Sequence, residues 1–355
     1  MASAIEIETD QKMQSAQADC FAGPPFSRYV WPPFPSTSRV RYIWVNCDLG
    51  LLHTSWVVEI IRRYSHRLVT GLLAIQKQLG ATAAGFCSSS DRVIEAFEKS
   101  LSWGKKDLHL ARVAKTYPTR PDLDLIVGEE LPWVVPLEIV LGIGTAFSDA
   151  LAPRNHCSVV GHVRVPMVFA QESELDVWTP RRLVARSGSA RPGPWVAFAG
   201  GVPNGVRWDA DELLPFETKV LVVLPATHPF ANRVRQPGLI ADRISNVCQF
   251  CELCSVYCPQ FVWPHLGMRK LVSDPQQTTS GLAGCSACGA CSAACPAGLL
   301  PSVLLGPTPD QMSIFCGPNP TDSPWPKPGP ARPFCRISER TAIDCFGLRE
   351  YFEED

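Results

Sequence analysis

Residues 248–259 read Cys248-Gln-Phe-Cys251-Glu-Leu-Cys254-Ser-Val-Tyr-Cys258-Pro259, and residues 285–296 repeat the pattern as Cys285-Ser-Ala-Cys288-Gly-Ala-Cys291-Ser-Ala-Ala-Cys295-Pro296. Both runs have the spacing C-x2-C-x2-C-x3-C-P. Three cysteines at intervals of three curl the backbone around one centre, so that their sulfurs converge, whereas the fourth begins the next turn and points away. The proline that follows has no N–H to satisfy and therefore tolerates the start of a helix.

This spacing is the ligand pattern of bacterial ferredoxins with two [4Fe–4S] clusters, in which the fourth cysteine of each run binds the other cluster. We assign cluster 1 to Cys248, Cys251, Cys254 and Cys295. We assign cluster 2 to Cys285, Cys288, Cys291 and Cys258. Zinc is the alternative metal, but four-cysteine zinc sites usually consist of two separated C-x2-C pairs. Disulfides are the least favoured interpretation, because nothing marks the chain as secreted.

Composition narrows the class of protein. The chain has 355 residues, enough for two or three domains, and its 46% apolar and 19% charged residues are typical of a globular protein. A net charge of −1 gives no electrostatic reason to expect nucleic acid as a partner. No apolar run of about 18 residues occurs, so no membrane span is expected. The segment Met1–Lys12 contains three acidic residues and no apolar signal core, so we expect a cytoplasmic protein.

The first half of the chain predicts a layered α/β domain with a partly parallel sheet. A poorly ordered leader, 1–37, precedes this domain, which we place at 38–154. The predicted elements are a strand at Val40–Asn46, a helix at Trp56–Leu79 that ends at Gly80, a strand at Ala81–Cys87, a helix capped by Asp91 that runs to Leu101, and a strand at Leu123–Val127.

The second half divides into smaller units. Short apolar runs and a helix at Thr179–Ala185 predict a β-grasp module at 155–200. Strands at Trp195–Gly201 and Lys219–Leu224 are expected to return to the first domain through a segment at 201–244. The cluster domain is placed at 245–305, as a small α-helical dicluster ferredoxin-like domain. A proline-rich tail at 306–355 is expected to be extended, with a short helix at Glu339–Tyr351.

Several segments, in the same order along the chain, resemble one family. The matching segments are Val45-Asn46-Cys47-Asp48, His66-Arg67-Leu68-Val69-Thr70-Gly71, Thr116-Tyr117-Pro118, Phe198-Ala199-Gly200-Gly201-Val202-Pro203, Val223-Leu224-Pro225-Ala226-Thr227-His228-Pro229 and Gly347-Leu348-Arg349-Glu350-Tyr351. With the cysteine runs, they resemble the family of the cobalamin reductase of propanediol-utilising microcompartments and of the RnfC component of the Rnf electron-transport complex.

The resemblance implies three things about the chain. The α/β domain is expected to be Rossmann-like and similar to the flavin-binding, NADH-oxidising subunit of respiratory complex I. The β-grasp module corresponds to the soluble-ligand-binding (SLBB) domain of the family, with a corrinoid as a candidate substrate or ligand. The implied partners are a redox protein or flavoprotein, a corrinoid-dependent enzyme or a microcompartment shell. The implied location is the cytoplasm, inside a microcompartment or at the periphery of a membrane complex.

The segments that hold flavin and NADH in this family are altered here. The glycine-rich loop is replaced by Phe21-Ala22-Gly23-Pro24-Pro25-Phe26, whose prolines donate no N–H to a phosphate. An acidic pair is replaced by Leu49-Gly50-Leu51, and the family's "PxGxE" segment by Thr119-Arg120-Pro121-Asp122-Leu123. The turn that faces the flavin is replaced by Gly142-Ile143-Gly144-Thr145. We therefore expect the fold to be kept and the binding of FMN and NADH to be lost.

The remaining chemistry-bearing residues give weaker signals. Gly142-Ile143-Gly144 is expected to form a turn rather than a dinucleotide loop. His156 and His162 are candidate ligands of a corrinoid cobalt, although surface or core histidines are commoner. His265 is expected to be structural. The other seven cysteines have no metal-site spacing and are expected to be small buried apolar residues.

Three hypotheses follow from the sequence. The favoured one is a relay of single electrons through two [4Fe–4S] clusters without an NADH site. The second is a complete FMN-dependent reductase that passes electrons from NADH to a corrinoid or another acceptor. The third is a ligand- or partner-binding module in which the metal clusters are structural. No catalytic residues are predicted, because no nucleophile–base arrangement or paired carboxylates can be argued from the sequence.

Overall fold

The structure, a computed structural model, describes residues 40–48, 54–101, 108–117, 125, 132–147, 155–171, 177–188, 190–200, 202, 206–214, 218, 220–234, 242, 244–258, 262–273, 289–302 and 336–351. The predicted leader 1–37 and most of the proline-rich tail lie outside these residues. So does the strand predicted at Leu123–Val127, except Leu125, which lies in a bend. Within the described ranges, no helix combines the length and the apolar character that crossing a bilayer requires.

The first part of the chain alternates strands and helices, as predicted. In chain order the elements are β1 (Tyr42–Asn46), α1 (Thr54–Leu79), β2 (Ala83–Ser88), α2 (Asp91–Leu101), β3 (Leu108–Arg112), β4 (Thr116–Tyr117), β5 (Trp133–Pro136) and α3 (Leu137–Ala146). Strands β3, β2, β1 and β5 form, in that order, a fully parallel sheet. This is an α/β architecture of the Rossmann-like kind.

Local patterns explain why these residues form these elements. In β1, the alternate residues Ile43 and Val45 are fully buried against the helices. Helix α1 ends at Leu79 because Gly80 adopts a left-handed conformation, with φ +62°. Helix α2 begins at Asp91, so this residue lies in the first turn rather than before it, and its carboxylate pairs with Arg112 at 2.9 Å.

The segment Gly142–Thr145 is not the turn that the sequence predicts but the last part of helix α3. Two glycines explain the difference. A Cβ atom at Gly144 would overlap the carbonyl oxygen of Arg67, and one at Gly71 would overlap that of Val140. Helices α1 and α3 therefore cross in backbone contact, which only glycine permits at these two positions.

A second sheet follows the first. Its elements are β6 (Asn155–Gly161), β7 (Met167–Gln171), α4 (Pro180–Arg186), β8 (Trp195–Ala199), β9 (Val206–Trp208) and β10 (Val220–Pro225). The strand order is β7-β6-β10-β8-β9, with a parallel central pair, β6 and β10, and antiparallel pairs elsewhere. The strands expected to return to the first domain thus belong to this second sheet, in which β10 is the central strand.

The remaining described elements follow the second sheet in the chain. They are α5 (Pro229–Val234), α6 (Leu253–Val256), α7 (Pro264–Ser273), α8 (Ala290–Ala293), β11 (Ile337–Ser338), α9 (Glu339–Phe346) and a 3₁₀ turn (Arg349–Tyr351). One apolar core joins β8 and β10 to α5, α8 and α9. The opposite face packs on α4. Strand β11 pairs antiparallel with β4, so the C-terminal segment contacts the first part of the chain as well.

Candidate metal centre

The described parts of the two cysteine runs have the same backbone structure. Helices α6 and α8 lie at equivalent positions of the two runs, between the second and fourth cysteines. Each follows a residue in the left-handed conformation, Glu252 with φ 65° and Gly289 with φ 77°. The amide of Ser255 donates to the Glu252 carbonyl at 2.8 Å, and that of Ser292 donates to the Gly289 carbonyl at 2.9 Å. The repeat in the sequence is therefore a repeat in hydrogen bonding too.

A buried serine follows the third cysteine in both runs and anchors the loop downstream. The hydroxyl of Ser255 lies 2.6 Å from Nδ1 of His265 and accepts the amide N–H of the same histidine at 3.3 Å. The hydroxyl of Ser292 lies 2.6 Å from that of Ser302 and accepts its amide N–H at 3.0 Å. Sequence reasoning missed these serines, although their equal position after Cys254 and Cys291 was a signal. His265 is buried, as a structural residue would be.

The thiols assigned to cluster 1 influence one another. The pKa of Cys254 is raised to about 12, first by burial and then by the charges of Cys295, Cys248 and Cys251, against a hydrogen bond from Ser255 that lowers it. The pKa of Cys295 is also raised, first by burial and then by Cys248 and Cys251, while the backbone amides of Ala297 and Leu299 lower it. Cys295, from the second run, thus lies with three cysteines of the first.

The same thiols do not meet at a single point. Among the described residues, no three histidine, cysteine, aspartate or glutamate side chains are grouped closely enough to hold one metal ion. A tetrahedral zinc ion with Zn–S bonds of about 2.3 Å would bring its sulfurs to within about 4 Å of each other. In a four-iron cluster each thiolate binds a different iron, so the sulfurs lie further apart. The preference for a cluster over zinc rests on the spacing of the cysteine runs.

The structure describes half of the ligand set assigned to cluster 2. Cys258 and Cys291 are both buried, whereas Cys285 and Cys288 lie outside the described residues. Apolar side chains surround the neighbouring site: Cys248 and Cys295 pack against Ile244, Met268 and Leu299. Cys248 and Cys295 are thus set against apolar side chains, whereas Cys251 is exposed.

The described cysteines outside the runs have other surroundings. Cys47, Cys87 and Cys157 are buried in the cores of the two sheets, as predicted for small apolar residues. The thiols of Cys47 and Cys87 both donate to the carbonyl of Val45, at 3.6 and 3.3 Å. Cys345 is exposed, contrary to prediction, and its thiol donates to the carbonyl of Ala293 in the cluster region at 3.2 Å. Cys20, Cys316 and Cys335 lie outside the described residues.

Four segments of this chain replace the flavin- and NADH-binding segments of the family that it resembles, and the structure describes one of them. The stretches 21–26, 49–51 and 119–123 lie outside the described residues. Gly142–Thr145 lies in α3, where Gly144 packs against the backbone of α1. At the carboxyl end of β1, the Asp48 carboxylate accepts hydrogen bonds from the Ser88 hydroxyl at 2.5 Å and the Ser89 amide at 2.6 Å. This edge, where ligands bind in open parallel sheets, is here closed partly by the protein's own groups.

The candidate cobalt ligands lie around β6. His156 is in the strand, opposite Ala170 of β7. His162 follows the strand, and its amide donates to the Val223 carbonyl at 2.7 Å. Among the described residues, His162 belongs to no group of three or more metal-binding side chains.

The chain matches no protein-family model. It is similar to cobalamin reductase PduS of Salmonella typhimurium (strain LT2), with 25% identity over 177 residues that cover 46% of this chain and 39% of PduS. The chain therefore spans about two fifths of the length of this relative. Two crystal structures of NAD+-reducing [NiFe]-hydrogenase also resemble it. The H2-reduced state gives a TM-score of 0.47 at 15% identity, over 88% of this chain and 63% of that one. The air-oxidised state gives 0.44 at 13%, over 98% and 68%.

Proposed function

We propose that the chain is an iron–sulfur electron-transfer protein of the cobalamin-reductase type, with two [4Fe–4S] clusters and no NADH site of its own. The observation that carries the proposal is that Cys295 of the second run packs against the same apolar cluster as Cys248 of the first, as crossed ligation requires. When bound, such clusters take up and release one electron at a time.

The residues around cluster 1 suit this chemistry. Thiols with raised pKa values are neutral on their own, and they become thiolates when a cationic cluster core is bound. The Ser255 hydroxyl and the amides of Ala297 and Leu299 donate hydrogen bonds to cysteine sulfurs. Met268 and Ile244 exclude water. Hydrogen bonds to sulfur and exclusion of solvent are the means by which a protein sets a cluster potential.

The second sheet is proposed to be the β-grasp module that the sequence predicts. Its strand order, its central parallel pair β6 and β10, and the helix α4 between β7 and β8 support this proposal. The module then extends to Pro225 rather than ending at residue 200. By its similarity to a cobalamin reductase, a corrinoid is the proposed ligand or electron acceptor. The proposed partners are a redox protein or flavoprotein and a corrinoid-dependent enzyme. A microcompartment interior or the periphery of a membrane complex is the proposed location.

A complete FMN-dependent NADH:corrinoid reductase is the second candidate. The similarity to cobalamin reductase PduS favours it. The packing of Gly144 against α1 argues against it, because the segment that replaces the flavin-facing turn is helical and sets Gly144 against the backbone of α1.

An anaerobic absorption spectrum of the purified chain, before and after dithionite, tests these alternatives. A broad shoulder near about 400 nm that bleaches, without resolved flavin bands, is the result expected for two clusters and no flavin. Additional flavin peaks would make the complete reductase the better description. A featureless visible spectrum after anaerobic reconstitution with iron and sulfide would contradict both and favour structural zinc.

A further inference from the structure

A cavity of about 340 Å³ lies between helix α1 and the paired strands β6 and β7. Small-molecule sites in proteins have volumes of about 300–1,000 Å³, so this cavity is at the lower end of that range. Its size suits a small molecule rather than a macrocycle such as a corrinoid. No cysteine is among the residues that line it, so the cavity is separate from the candidate metal centre.

The register of β6 and β7 explains the floor of the cavity. The strands pair antiparallel with Ser158 opposite Val168, and residues directly opposite each other point to the same face of a sheet. Two residues further along β6, Val160 points to that face as well, and the same register sets it opposite Pro166. All four line the cavity. The floor is therefore apolar except for the hydroxyl of Ser158, a residue that is only 1% exposed.

Helix α1 supplies charged groups to the wall of the cavity. Glu59, Arg62 and Arg63 all line it, and their spacing of three and four positions places them on one face of the helix. The Arg63 guanidinium pairs with the Glu59 carboxylate at 2.5 Å, so these two charges offset each other. Arg62 is exposed and makes no ion pair or hydrogen bond within the described part of the chain. One uncompensated positive charge thus faces an apolar floor.

We propose that this cavity binds a small organic anion, either a carboxylate or a phosphate monoester, with an apolar body. Arg62 binds the anionic group, because a guanidinium presents parallel N–H donors that match the oxygens of a carboxylate or a phosphate. The apolar body packs on Val160, Pro166 and Val168. The Ser158 hydroxyl adds a group that can donate or accept a hydrogen bond. The inference goes beyond the proposed function and does not depend on the clusters.

Calorimetric titration of the full-length, reconstituted chain tests the proposal with four probes. Phenyl phosphate and benzoate carry an anionic group on an apolar ring, benzyl alcohol has the ring without the charge, and inorganic phosphate has the charge without the ring. We expect saturable binding of phenyl phosphate or benzoate with a Kd below about 1 mM. The tighter of the two identifies the anionic group. The absence of saturable binding of both, or equally tight binding of benzyl alcohol, would overturn the proposal.

Three variants localise the site. Arg62→Gln should weaken binding of the anion about tenfold or more, because a charge-assisted hydrogen bond is lost. Arg207→Gln removes the same charge from an exposed position of β9 and should leave binding unchanged. Glu59→Gln should tighten binding about two- to fivefold, since it removes a negative charge and releases Arg63. Equal losses in the two arginine variants, or no loss in Arg62→Gln, would contradict the site.

A second measurement uses the unaltered chain. Phenylglyoxal modifies accessible guanidinium groups, and peptide mass spectrometry reads which arginines have reacted. Saturating phenyl phosphate or benzoate should slow the modification of Arg62 and leave that of Arg207 unchanged. An unchanged rate at Arg62 would place binding elsewhere and overturn the assignment. Failure of the proposed function is recognised separately, because the visible spectrum reports on the clusters and not on this cavity.

Discussion

The imidazole of His228 is hydrogen-bonded to the carbonyl oxygen of Gly347 at 3.0 Å, across 119 positions of the chain. Its Nδ1 accepts the amide N–H of Phe230 at 3.2 Å, so Nε2 carries the proton that Gly347 accepts. Gly347 ends helix α9 in a left-handed conformation. The two residues come from two separate segments on which the family resemblance rests, and they fasten the C-terminal helix to the second sheet.

Replacing His228 should therefore destabilise the chain. His228→Ala leaves the buried Phe230 amide and the partly buried Gly347 carbonyl without their partner, at a cost of about 1–3 kcal/mol. Denaturant unfolding would measure the loss in the free energy of unfolding. His66→Ala, at an exposed position of α1, is the matched control and should change stability by less than about 0.5 kcal/mol. Equal stabilities of the two variants would show that this contact contributes nothing.

Replacing Gly144 by alanine should also destabilise the folded chain, although alanine is normally favoured over glycine inside a helix. Within a helix, Gly→Ala normally stabilises by about 0.5–1 kcal/mol. Here the new methyl group would overlap the Arg67 carbonyl and force α1 and α3 apart, at a cost of about 1–3 kcal/mol. Denaturant unfolding would measure whether the midpoint of the Gly144→Ala variant falls, as expected, or rises. A stabilised variant would mean that α1 and α3 are not in backbone contact.

Signals carried by neighbouring residues predicted the local structure well. The apolar stripe of α1 and the glycine at its end are visible in the sequence because a helix repeats every few residues. For the same reason, the repeated cysteine spacing predicted that the two runs curl in the same way, since ligand spacing is a property of the local backbone.

Features that depend on distant partners were missed. Gly142 and Gly144 resemble a turn until a second helix is known to approach Gly144. Strand β10 is buried on both faces, and such a strand has the same apolar sequence whichever sheet it joins. The contact between His228 and Gly347 is a long-range one that no local pattern encodes.

The raised pKa of Cys254 predicts how the metal-free chain responds to alkali. The pKa is about 12 when folded and about 9 as a free thiol, so between these values the unfolded chain ionises and the folded chain does not. Unfolding is then favoured as the pH rises above 9, by up to about 1.4 kcal/mol per pH unit for this one group. Below pH 9 both states are protonated and the thiol has no effect.

Unfolding by urea at pH 8 and pH 10 would measure this slope for the metal-free chain and for Cys254→Ala. The alanine variant should lose less stability between the two pH values. Identical pH dependence in both would mean that Cys254 is not set in an environment that disfavours its charge.

The two buried serines should tune the two clusters separately. Ser255→Ala removes a hydroxyl that donates to the Cys254 sulfur, and without this donor the more negative, reduced cluster is less stabilised, so the cluster potential falls. Ser292→Ala is the matched change in the second run and should affect the other potential. Spectroelectrochemical titration would measure both potentials. Ser245→Ala, at an exposed site where the hydroxyl donates to the Asp242 carbonyl, is the control and should shift neither.

Crossed ligation can be decided in a chain that retains one cluster. Replacing Cys285, Cys288 and Cys291 by serine should leave about four irons per chain, bound by the cysteines of cluster 1. In this background Cys295→Ser should remove the remaining iron or make it labile, because Cys295 lies among Cys248, Cys251 and Cys254. Cys258→Ser should leave it intact. The opposite pattern, with iron lost on replacing Cys258 and kept on replacing Cys295, would show that each run binds its own cluster.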